Sequence, residues 1–171
     1  MDARWRWLGA LWGITGVIAL LLYAVVRLSP IALEALSGRL GSLHYAALLV
    51  SIAFFGYTEG YRAFQLQFSP RVVARALSLR EHATWPRVLL APAFAMGFFG
   101  ATRRRMIVSW VLTASIVVLI RLVGATPQPW RGIIDAGVVF ALGWGAVAIA
   151  VYAVRALGGE DLLIPTDLPA A

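Results

Sequence analysis

No cysteine and no lysine occurs in the 171 residues, and histidine occurs only twice. Without cysteine there is no disulfide, no thiolate metal site and no cysteine nucleophile. His44 and His82 are too few and too far apart to suggest a metal centre, so neither metal nor cofactor is expected. Charge is also scarce, at 13% of residues against ~25% in an average globular chain. No phosphate-binding glycine loop, H-E-x-x-H, G-x-S-x-G or EF-hand pattern occurs. The polar stretches are too short to build a separate catalytic domain.

What remains is apolar: 61% hydrophobic residues and a mean hydropathy of +0.81. That composition places the chain among integral membrane proteins. The net charge of +7, carried by fifteen arginines, therefore reads as orientation and contact with anionic lipid headgroups, not as nucleic-acid binding.

Four apolar runs are predicted as spans, at 7–26, 43–64, 106–123 and 132–154. Twenty residues rise ~30 Å, the thickness of a bilayer core. Trp5-Arg6-Trp7 anchors the first run at an interface. Ser29-Pro30 is expected to start a short surface helix in the first loop. Ser69-Pro70 is a capping pair that predicts a new helix over 70–83, lying in the cytoplasmic interface with arginines on phosphates. The stretch 86–102 is apolar but short, with Pro92 and Gly97-Phe98-Phe99-Gly100. It is expected as a re-entrant or surface hairpin, which completes an all-α, single-domain membrane protein over 1–155. Residues 156–171 are expected as a disordered acidic tail.

Topology is an electrostatic decision. With 86–102 turning back, four spans put both termini in the cytoplasm, with eleven arginines inside and four outside. With 86–102 crossing, five spans split them nine to six. The positive-inside rule favours four.

The sharpest polar feature is Tyr57-Thr58-Glu59-Gly60-Tyr61-Arg62. A carboxylate within an apolar run is expensive and needs a reason. On an α-helix Glu59 and Arg62 share a face. Two readings stand: a self-neutralising pair with Tyr57 and Tyr61 at the headgroups, or a polar site for a headgroup, an ion or a proton. Arg71, Arg75, Arg103, Arg104 and Arg105 are candidates for anionic headgroup contact. Arg131 and Asp135, four apart, are expected to pair on the periplasmic side. Gly9 and Gly13, and Gly137, Ala141 and Gly145, form small-residue stripes suited to close helix packing.

The stretches Y-T-E-G-Y-R-A-F, F-S-P-R-V-V-A-R and Q-P-W-R-G-I-I-D-A-G resemble those in an uncharacterised group of small bacterial inner-membrane proteins. That resemblance implies a bacterial inner-membrane address and no activity. Three functions are expected in order: a non-enzymatic accessory, scaffold or assembly component, acting as a homo-oligomer or beside a membrane-protein partner; a small oligomeric transporter, channel or lipid-handling protein using Glu59; and a lipid-active enzyme.

Overall fold

The computed structural model describes residues 2–160 and 166–168, and every regular element in them is helical. Seven α-helices follow in order: α1 Ala3–Ser37, α2 Ser42–Phe55, α3 Ser69–His82, α4 Trp85–Leu89, α5 Ala91–Ala95, α6 Arg103–Gly124 and α7 Trp130–Leu157. A π-helical segment, Gly56–Phe68, joins α2 to α3. By length and composition, α1, α6 and α7 are each apolar enough to cross a membrane.

Two proline expectations are corrected. The helix does not break before Ser29-Pro30; α1 runs on through Pro30 to Ser37. The Ser29 hydroxyl donates to Val25 O at 2.6 Å, and α7 lies close against the far end, with Gly132 facing Ala35 and Ile31 O. A proline within a helix is tolerated where neighbours and hydroxyls satisfy the backbone in this way.

Likewise, the helix does not stop at Ser69-Pro70. Ser69 has helical φ and ψ of −59° and −48°, and α2, the π segment and α3 form one rod from Ser42 to His82. Proline lacks a donor and its ring crowds the preceding turn. The wider i→i+5 winding just before Pro70 supplies the room that an α turn would lack.

The rod runs antiparallel to α1, with Arg80 over the Trp7 ring at one end and Ala76 against Gly13 further along. It runs parallel to α7. Ser51 Oγ donates to Ile133 O at 2.8 Å, Gly56 faces Phe140, Gly60 faces Trp144, and Phe64 faces Gly145. These contacts alternate, with an aromatic ring from one helix filling a glycine notch in the other. A Cβ on Gly56 would stand 2.8 Å from Phe140, and one on Gly145 would stand 2.6 Å from Phe64. Such close approach lets van der Waals contact hold helices together where lipid offers no hydrophobic drive.

The helix expected over 70–83 forms as α3, and one side of it is covered by the chain itself. Val72, Val73, Ala76 and Leu79 are fully buried, packed against α1, α5 and α7. The expected hairpin 86–102 becomes α4, α5 and a turn, folded along the first half of α1: Val88 meets Gly9, Ala91 meets Gly13 and Pro92 meets Gly16. Five-residue helices rise only ~7.5 Å each. The tail expectation is corrected in part. α7 continues to Leu157 and Arg155 donates to both Glu160 oxygens. Residues 166–168 are docked, while 161–165 and 169–171 lie outside the described residues.

Candidate functional site

Two polar places interrupt this apolar packing. The first is the outer side of the π segment. Winding by i→i+5 bonds brings residues four and five apart onto one face and separates residues three apart. Gly56 and Gly60 are accordingly both buried against α7. Tyr57 and Tyr61 stack with ring centroids 6.1 Å apart, and Gln67 Nε2 donates to Arg62 O, five residues back, at 3.2 Å.

The expectation that Glu59 and Arg62 share a face assumed α winding. Both are exposed, and among the described residues the ion pairs are Arg131–Asp135 and Arg155–Glu160, not these two. Glu59 sits between Gly56, opposite Phe140, and Gly60, opposite Trp144. It is therefore near the middle of the 28-residue α7, at least ~15 Å of helix rise from either end.

The second place is an arginine clasp. Arg75, which the sequence suggests for headgroup contact, is fully buried. Its Nε donates to Phe94 O at 2.9 Å. One terminal nitrogen donates to Thr166 O at 2.7 Å and Asp167 O at 3.5 Å. The other donates to Phe99 O and Gly100 O, both at 3.2 Å. The guanidinium also lies 4.5 Å from the Phe94 ring centroid, and Arg87 approaches the same ring at 5.5 Å. Only arginine presents donors in a planar fork wide enough to hold three separate strands of backbone. Burial, together with nearby Arg105 and Arg87, pushes the Arg75 pKa down to about 10, while Asp167 opposes the shift. The group stays charged at neutral pH.

The turn that Arg75 holds reverses at Gly97 and Gly100, whose φ values of +83° and +59° favour glycine. The docked tail is fastened a second time, because Thr102 N–H donates to Asp167 O at 2.9 Å at the start of α6. Leu168 packs on Leu79, Ala91 and Phe94.

The other arginines are divided. Arg103 and Arg104 are exposed, whereas Arg71 and Arg105 are half-buried, and the Arg105 side chain crosses over Gly97 at 3.2 Å from the Cβ a substitution would add. Beside the clasp, a cleft of about 500 Å³ is bordered by Trp7, Ser78, Arg80, Glu81 and Thr166.

Arg131 Nε stands 3.7 Å from Asp135 Oδ2. This is a charged contact too long for a hydrogen bond, and both atoms are buried without another partner. The small-residue stripes are covered by the chain itself. Gly9 and Gly13 meet α3, α4 and α5, and Gly137 and Gly145 meet the rod, with Ala141 also buried. What sequence reasoning missed is the set of carbonyls around Arg75. The available signal was an arginine set among Val72, Val73, Ala76 and Leu79 ahead of a Gly97-x-x-Gly100 turn. Nothing in the tail's own residues pointed to docking.

Fold and composition define an all-helical protein with three apolar helices of membrane-crossing length. Compared with known proteins, the chain matches no protein family, no curated protein and no solved structure.

Proposed function

We propose that the chain is a multi-pass protein of the bacterial inner membrane, with four spans and both termini in the cytoplasm, and that it works as a non-enzymatic accessory, scaffold or assembly component. The spans are α1, α2 with the π segment, α6 and α7; α3, α4 and α5 pack along the first half of α1, toward the cytoplasmic end that carries most of the arginines.

The observation that carries this reading is α6. Only 6% of its most apolar window is buried within the chain, against 33% in α1 and 39% in α7. Its side-chain hydrogen bonds to other elements come from its first turns, where Ser109 Oγ donates to Met96 O at 2.9 Å and Trp110 Nε1 donates to Phe98 O at 3.3 Å. A span that the chain does not pack itself is available to another membrane helix. A photo-crosslinking residue at Ile116 or Leu119, both exposed, is expected to give a protein adduct of discrete mass in native membranes. Adducts with lipid alone would overturn the reading.

A second reading, a small oligomeric transporter or lipid-handling protein, is favoured by exposed Glu59 at mid-height of the bundle. Flux in proteoliposomes that is abolished by Glu59→Gln would establish it; flux indifferent to that change would remove it.

A further inference from the structure

The Glu59–Arg62 surface remains unexplained by the fold, and it goes beyond the reading above. Two opposite charges lie on the outside of the rod, without an ion pair or side-chain hydrogen bond among the described residues. The rod's inner face is already filled by the glycine and aromatic contacts with α7, so neither charge can turn inward. By its height along α7, Glu59 stands ~15 Å or more of helix rise from either end of that helix, farther than a glutamate side chain extends. Charged residues at such depth face other protein or water and pair with one another. The π winding forbids that pairing inside one chain, and what it does instead is place the two charges on either side of a narrow arc. Thr58 is four residues before Arg62, Ala63 is four after Glu59, and Thr58 and Ala63 are five apart. All of these spacings share a face in i→i+5 winding, so Thr58 and Ala63 lie on the arc between the charges.

We infer that this arc is a homodimer contact in which Glu59 of each copy pairs with Arg62 of the other. Copies inserted with the same topology are related by a two-fold axis along the membrane normal, so each residue meets its partner at its own depth. Glu59 and Arg62 differ in height by less than one turn. They flank the contact line as oppositely charged residues flank the seam of a parallel two-stranded coiled coil, each facing the other flank of its partner. The surface is thus self-complementary. Exposed Phe54 and Leu66, above and below along the rod, supply apolar borders.

The test uses charge reversal in the full chain with two different tags. Wild-type copies are expected to co-purify from mild detergent. Glu59→Arg alone sets Arg against Arg62 and should lose at least ~tenfold in co-capture; Arg62→Glu alone sets Glu against Glu59 and should lose as much. Co-expressed, the two single variants should capture each other as well as wild type does, because both contacts are then opposite in sign. The double variant Glu59→Arg/Arg62→Glu should also recover. Because the chain has no cysteine, Thr58→Cys or Ala63→Cys should give a single oxidative dimer band without any charge change. The inference rests on the membrane reading, so carbonate resistance is measured in parallel: extraction of the wild type would refute the membrane reading. A chain that stays embedded yet gives no cysteine dimer, or single reversals that co-capture normally, or a mixed pair no better than either single variant, would overturn the dimer contact.

Discussion

Replacing Arg75 should release the docked tail before it unfolds the bundle. Arg75→Met keeps an apolar stem but removes the guanidinium donor from five carbonyl oxygens, those of Phe94, Phe99, Gly100, Thr166 and Asp167, of which Phe94 O keeps the Gly97 N–H and Asp167 O keeps the Thr102 N–H. Those of Thr166 and Asp167 can regain water once the tail lifts away. Those of Phe99 and Gly100 are anchored in the turn between α5 and α6 and cannot. An orphaned buried acceptor costs ~1–3 kcal/mol, and removal of a desolvated guanidinium returns part of that. A net loss of about 3 kcal/mol follows. Arg75→Lys should recover less than half, because one ammonium cannot span carbonyls on three separate segments. Two measurements check this: thermal unfolding in detergent, and maleimide labelling of Thr166→Cys, half-buried in the wild type. Labelling should become fast in both variants. A stability within ~1 kcal/mol of wild type, with Thr166→Cys still protected, would show that the clasp is incidental and refute the reasoning.

Other outcomes follow from the same contacts. Gly145→Val should cost ~1–3 kcal/mol by overpacking, since its Cβ would stand 2.6 Å from Phe64; Phe64→Leu in the same chain should restore part of the loss, as expected for coupled neighbours. Single cysteines at Ser37 and Pro127 should label from outside intact cells and one at Thr102 should not, with outside labelling at Thr102 reversing the four-span topology. Neutralising exposed Arg103 and Arg104 should weaken association with anionic vesicles by about 1 kcal/mol per residue, whereas buried Arg75 should act through stability and not through lipid composition.

Helical class and the presence of long apolar helices were legible because they rest on composition and run length, which no tertiary contact can alter. Helix ends were not. Ser29-Pro30 and Ser69-Pro70 are sound start signals locally, yet α1 continues through the first and the rod through the second. Neighbouring chain and a change of winding compensate for the lost donor, and neither is visible in a local window. The Glu59–Arg62 geometry turned on that same winding: spacing in sequence converts to direction only after the helix type is known. Arg131 and Asp135, in ordinary α winding, stand within 3.7 Å as their spacing suggests. Arg75 was unreadable for another reason. Its partners are backbone carbonyls, which every residue carries and no sequence pattern marks.

The clasp also sets a clock on synthesis. Arg75 and Thr166 are 91 residues apart, so at ordinary translation speeds roughly 5–18 s separate their emergence. During that interval α6 and α7 are made while the hairpin of α4 and α5 lacks its last fastening. The end of the bundle that Arg75 fastens is therefore loose until translation has passed residue 167, and only then can the guanidinium close its final hydrogen bonds. A stalled product ending just after α7 would carry every helix but an unfinished latch, a difference that a quality-control protease could read.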